Sequence, residues 1–210
     1  MIVTNWGYTL IDTESLPDLI TMEELNTLTG NKYAGDVRLS PEIAAACAAI
    51  RNYCGWHISP SLECVMSEYL LYGDGRVKRV GGRDLLIQLP AKFVTAVESV
   101  KIDDVAHEDF VIDTDGLLHV FDADFCRASR KTKVTVAYTA GVPDTDLSAV
   151  RELVAHRVTH AMAVPPGITS EAAGGVSVTY NANWSNSTRA TALPDDNKEV
   201  LAPYRLQGVF

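Results

Sequence analysis

The sequence predicts an α+β protein: a helical core interrupted by an inserted small antiparallel β subdomain, with an extended C-terminal arm. Three observations carry this. Apolar residues recur at helical spacing over 40–55, alternate over 62–140, and return to helical spacing after residue 144. The implied division is a helical core from 1–61 and 141–170, a β subdomain at 62–140, and an arm at 171–210.

The first strong element runs from Ser40 to Gly55. Ser40 is a suitable cap, Pro41 suits the first turn, and Gly55 suits a left-handed stop. Ile43, Cys47, Ile50 and Cys54 share one face, and Ala44, Ala45, Ala46, Ala48 and Ala49 fill the rest. A helix so rich in alanine and poor in charge is expected to pack on more than one side. A weaker helix precedes it at Thr21–Leu28, followed by Gly30.

Within 62–140, Asp84 to Leu89 reads as a strand ending at Pro90, and Val97 to Asp103 as another. Phe110 and Ile112, then Leu118 and Val120, flank Thr114-Asp115-Gly116, a hairpin signal. Val134, Val136 and Tyr138 alternate with Lys133, Thr135 and Ala137 before Gly141. The next helix starts at Asp144 or Asp146, carries Leu147, Val150, Leu153, Val154, Val158 and Ala161 as its apolar stripe, and ends at Pro165-Pro166.

The arm is different in kind. Val176, Val178 and Tyr180 alternate with Ser177 and Thr179 as a short strand, Asn181 to Thr191 is polar, and a last short helix is expected near Asp195–Ala202. With so little to bury, the arm is expected to lack a core of its own and to be completed by a neighbour.

Composition narrows the function. Hydrophobic residues at 47% and charged residues at 21% are those of an ordinary globular chain. A net charge of −9 argues against a free nucleic-acid-binding protein, which gains affinity by neutralising phosphates. The longest apolar run, Ile43 to Ile50, falls far short of the ~20 residues a membrane span needs, so no membrane partner is expected. The opening Met-Ile-Val-Thr-Asn-Trp-Gly lacks the basic region and apolar stretch of a secretory signal. Cys47, Cys54, Cys64 and Cys126 are too scattered for a disulfide framework and read as reduced thiols.

Catalytic motifs are hard to find. His156 and His160 stand four apart on one helix face, the spacing of a zinc site, but a metalloprotease needs Glu where Arg157 stands. The plainer reading is two histidines on the polar rim of the helix. Gly73-Asp74-Gly75 and Gly81-Gly82 are not followed by Lys-Ser/Thr and read as turns, not phosphate cradles. Asp103-Asp104, Glu108-Asp109 and Asp122 with Asp124 lie near strand ends, where carboxylates are usually solvated. The expectation is therefore a non-enzyme with no catalytic residues, no cofactor and no metal.

Three stretches carry a family likeness: Asn52-Tyr53-Cys54-Gly55-Trp56 closing the first long helix; Val136-Ala137-Tyr138-Thr139-Ala140-Gly141-Val142-Pro143 leading into Leu153-Val154-Ala155-His156; and Gly175-Val176-Ser177-Val178-Thr179-Tyr180 followed by Leu201-Ala202-Pro203-Tyr204-Arg205-Leu206. Together they resemble the head-to-tail connector (adaptor) proteins of tailed bacteriophages, over most of the chain from about residue 20. The resemblance implies a structural protein of the virion neck, present in the host cytoplasm during assembly. It implies a ring, usually dodecameric, between the portal and a stopper or tail-completion protein, with DNA passing through its lumen without sequence-specific binding. It implies that the arm reaches the portal or a neighbouring subunit through Val176, Val178, Tyr180, Leu201, Tyr204 and Arg205. An acidic lining would let DNA slide where a basic one would hold it. The alternative is a small β-rich binding module, with carbohydrate as a candidate ligand, and with helical flanks; the dispersal of Trp6, Trp56 and Trp184 does not favour it. A metal-dependent hydrolase using His156 and His160 is a third reading.

Overall fold

The chain contains both helices and antiparallel sheets, a mixed α+β protein, in a computed structural model that describes residues 1–11, 13–70, 76–80, 83–113, 115–123, 132–163, 170–173, 176–179 and 195–206. Its described residues divide into two units. One comprises Met1–Leu16 and Gly55–Pro143 with Leu206, and the other Pro17–Cys54 with Asp144–Arg205. The first 16 residues, expected in the helical core, thus cluster with the strands, as do residues 55–61 and 141–143.

In the helical unit, α1 (Met22–Leu28) starts at a capping box. Thr21 Oγ1 accepts the Glu24 N–H at 3.2 Å, and Glu24 Oε2 accepts the Thr21 N–H at 2.8 Å, which satisfies two otherwise orphaned donors. The next helix, α2 (Leu39–Cys54), begins two residues before Pro41, the first helical residue the capping signal implied, so Ser40 lies inside the first turn. The preceding turn is set by Asp36, whose Oδ1 accepts the Arg38 N–H at 2.9 Å. Gly55, at φ +80°, ends the helix as expected.

The α2 face that packs inward is Leu39, Ile43, Ala46, Cys47, Ala49, Ile50 and Cys54, whereas Ala44, Ala45 and Ala48 are exposed. The expectation of packing on several sides is therefore not met within the unit. Small side chains here permit close approach on one face and cover nothing on the other. A 3-10 turn, Asp144–Asp146, leads to α3 (Ser148–Ala163), which packs against α2. Val150, Leu153, Val154 and Val158 are buried as their spacing required, and Met162 replaces Ala161 as the last buried residue.

The strand unit holds two antiparallel sheets. In the first, β1 (Ile2–Val3), β2 (Thr9–Leu10), β3 (Leu62–Leu70), β10 (Thr132–Ala140), β6 (Val94–Ile102) and β7 (Val105–His107) lie in that order. The second runs β4 (Val77–Val80), β5 (Asp84–Gln88), β9 (Leu117–Val120), β8 (Phe110–Ile112). The longest ladder pairs β10 with β3 from Thr132↔Leu70 to Ala140↔Leu62. Strict alternation buries Thr132, Val134, Val136, Tyr138 and Ala140 on one face, as a period of two requires.

The hairpin read around Asp115-Gly116 is present as β8–β9, with Ile112↔Leu118 in register, while Thr114 lies outside the described residues. Asp113 Oδ1 accepts the N–H groups of Asp115 and Leu117 and shapes the turn. Gly116 is required there: it sits at φ +80°, and a Cβ would collide with the Ala91 carbonyl oxygen. The β6–β7 hairpin escaped the sequence reading. Its turn is Asp103-Asp104, both at positive φ (49° and 65°), a conformation normally signalled by Asn-Gly or Asp-Gly.

Candidate functional site

The arm residues singled out for binding are placed by three short elements. β12 (Val176–Thr179) pairs antiparallel with β11 (Ser170–Ala173), with Ala173↔Val176 and Glu171↔Val178 in register. No local pattern marks β11, because Ser-Glu-Ala-Ala is a poor strand former on its own. The expected strand thus finds its partner within the chain. Tyr180 and the polar stretch Asn181–Thr191 lie outside the described residues.

The last helix, α4 (Asp195–Leu201), continues into a 3-10 turn, Ala202–Tyr204. Leu201 is fully buried within the helical unit, where α4 packs on α3. Tyr204 donates its hydroxyl to the backbone oxygen of Asp146 at 2.9 Å. The Arg205 guanidinium lies 5.1 Å from the centre of the Tyr53 ring. The arm, expected to lack a core of its own and to be completed by a neighbour, is completed at this end by the helices of its own chain. Leu201, Tyr204 and Arg205 close the helical unit of their own chain, because a 7-residue helix is too short to persist without tertiary contacts.

The other candidates lie on α3, near strand ends and in the core. His156 is exposed and His160 half-buried on α3, and burial, then the neighbouring His156, hold the His160 imidazole below its ordinary value. No group of three His, Cys, Asp or Glu side chains among the described residues is arranged to hold a metal ion. Carboxylates of two of the pairs bind neighbouring segments. Asp103 Oδ1 accepts the Lys133 N–H at 2.8 Å, and Asp122 pairs with Arg83 at 3.1 Å. Asp124 and the glycine clusters 73–75 and 81–82 lie outside the described residues. Cys47, Cys54 and Cys64 are buried thiols; burial pushes Cys54 and Cys64 up to about 12, which makes them poor nucleophiles. Among the described residues, no helix is long and apolar enough to cross a membrane.

A buried polar cluster in the strand unit went unseen in the sequence. Tyr8 and His57 are 3% and 0% exposed, and the Tyr8 hydroxyl lies 2.8 Å from His57 Nδ1 and accepts the His57 N–H at 3.0 Å. His57 Nε2 lies 2.9 Å from the Ala140 oxygen. Tyr138 packs beside Tyr8, with ring centres 6.4 Å apart, and burial raises its phenol well above the ordinary value. No local pattern announces residues that meet across 49 and 83 positions of chain.

No family model matches the chain, and no curated protein sequence matches it.

Proposed function

We propose that this protein is a structural adaptor of a tailed-phage neck: a ring, dodecameric by its likeness, that joins the portal to a stopper or tail-completion protein and forms part of the DNA conduit. In this reading a helical core carries the inserted β subdomain, and catalysis plays no part. The observation that carries it is the chain order. Two helical segments on either side of a strand-rich segment form one unit, and the arm returns to that unit after the second helix. This is the order the resemblance implies.

In this reading the arm residues have different tasks. Leu201, Tyr204 and Arg205 hold the end of the arm on its own helical unit. That leaves the β11–β12 hairpin, with Val176 and Val178, as the segment offered to the portal or a neighbouring subunit. Among the described residues the hairpin is a two-stranded sheet, so each strand keeps an outer edge on which a further strand can pair. The net charge of −9 suits a lumen through which DNA slides.

The test is capture on an immobilised portal protein of a tailed phage, followed by negative-stain imaging of the complex. A ring of subunits on the portal is expected, and Val178→Pro, which removes a backbone donor from the hairpin, is expected to weaken capture. A chain that stays monomeric and is not retained by its cognate portal would overturn the proposal.

A further inference from the structure

We propose that copies of this chain associate head to tail: the acidic edge strand β8 of one pairs with the basic edge strand β4 of the next, and the four-stranded sheet continues from copy to copy. This deepens the adaptor reading by naming the subunit contact of its ring. It rests on that reading for ring closure alone.

The backbone of both edges is set for such pairing. Among the described residues, β4 pairs only with β5, and β8 only with β9. The Asp113 N–H bonds the Leu117 oxygen at 3.1 Å, and the Asp109 oxygen accepts the Phe121 N–H at 3.0 Å. Odd-numbered residues of β8 therefore face β9, and the alternation turns the N–H and C=O groups of Phe110 and Ile112 outward. On the far edge the Arg76 oxygen accepts the Gln88 N–H at 2.7 Å. Even-numbered residues there face β5, and Val77 and Arg79 turn their backbone groups outward.

Register brings these groups together. Lys78, Leu86, His119 and Val111 form one row across the sheet, each opposite the next. Each of the three strand pairs is antiparallel, so β4 and β8 run in opposite directions. Rotation about an axis along the strands keeps those directions and lays β8 of one copy antiparallel to β4 of the next. With no shift along the axis, Val111 lies opposite Lys78 of the next copy, Ile112 opposite Val77, and Phe110 opposite Arg79. The outward backbone groups of the two edges then meet and continue the ladder.

Charge selects the partner edge. Residues 76–83 include Arg76, Lys78, Arg79 and Arg83 and no acid, whereas 108–115 include Glu108, Asp109, Asp113 and Asp115 and no base. Some of these are engaged within the chain: Arg76 with Glu68, Arg83 with Asp122, and Asp115 with Lys92. Lys78, Glu108 and Asp109 are exposed. In this register Lys78 has Asp109 and Asp113 as diagonal neighbours on the same face, a favourable arrangement of opposite charges. Val111, 60% exposed, is covered by the Lys78 stem. Pairing β4 with β4, or β8 with β8, sets like charges together and is disfavoured. Charges that only guard an edge against stray pairing need no particular sign, yet here the two edges differ in sign. A head-to-tail contact does not close within a pair, so it builds a ring or a filament.

The experiment is sedimentation velocity over a concentration series on wild type, Lys78→Glu, Asp109→Lys and an equimolar mixture of the two variants. Wild type is expected to grow beyond a dimer. Each variant alone should need about ten-fold higher concentration, since an attraction is lost and a repulsion gained. The mixture should associate as wild type does, because the replaced side chains complement each other at one junction and native edges meet at the next. In amide hydrogen exchange, Phe110 and Ile112 should gain protection as concentration rises, while Val111, whose N–H faces β9, changes little. A wild type that stays monomeric, association indifferent to both substitutions, or a mixture no better than its components would overturn the proposal. The adaptor reading fails separately. Chains that associate through these edges in solution, yet are not retained by the cognate portal, support the pairing and refute the adaptor. A ring that both variants still form on the portal does the reverse.

Discussion

The Arg205 guanidinium sits over the Tyr53 ring, 5.1 Å from its centre, and joins the end of the arm to the last turn of α2. With Leu201 buried nearby in sequence and Tyr204 bonded to Asp146, the contact makes α4 part of the helical fold. Leu201→Ala is expected to destabilise the helical unit by about 2–5 kcal/mol through the cavity it leaves. Arg205→Ala should cost about 0.5–1 kcal/mol, since the pair is partly solvated. Urea denaturation of both variants checks this; a Leu201→Ala midpoint equal to wild type would show that the arm is dispensable to the fold.

Arg151 links the start of α1 to the turn before α3, pairing with Glu24 at 3.4 Å and with Asp144 at 3.2 Å. The Thr21 backbone N–H, foremost, holds the Glu24 carboxyl below its ordinary value of 4.5. The folded state therefore releases this proton more readily than the unfolded chain. The stabilisation is complete above about 4.5 and is lost as the pH falls through the folded value. Thr21→Ala should cost about 1 kcal/mol near neutral pH. Glu24→Gln should be less stable than wild type near neutrality and converge with it in acid, as a thermal-melting series across pH will show.

His160 titrates in the opposite chemical class but with the same sign. Burial and His156 disfavour its charged form, so the folded state binds this proton less readily than the unfolded chain. Stability from this source is full above 6.5 and lost as the pH falls through that value towards the folded one. His160→Gln should show a shallower loss of melting temperature on mild acidification than wild type. The double replacement with His156→Gln should leave stability indifferent to added zinc or chelator. A chelator that lowers the wild-type melting temperature but not that of the double variant would restore the metal reading.

The Asp103-Asp104 turn offers a stabilising substitution. Asp103 has a task at positive φ, since its carboxylate accepts the Lys133 N–H, but Asp104 makes only a 4.0 Å contact with Lys133. Asp104→Gly should relieve the left-handed strain and raise stability by up to about 1 kcal/mol. Asp103→Gly should lower it through the lost bond. Thermal melting of the two variants checks this; a stabilising Asp103→Gly, or an Asp104→Gly that destabilises, would refute this division of labour.

Features that depend on neighbours a few residues apart are legible along the chain. The faces of α2 and α3, the alternation of β10 and the Asp113–Gly116 turn follow from spacing, because a 3.6- or 2-residue period fixes which side chains share a face. The tertiary structure alone decided which segment each face meets. The first 16 residues joined the strands because Thr9 and Leu10 pair with Val65 and Cys64, a choice no local pattern encodes. The arm's end closed on its own helices because Leu201 found a buried site there, whereas its spacing with Tyr204 says only that some groove must receive it. Tyr8, His57 and Ala140 meet because three separate chain segments converge, and a buried hydrogen bond is specified by position in space rather than along the chain.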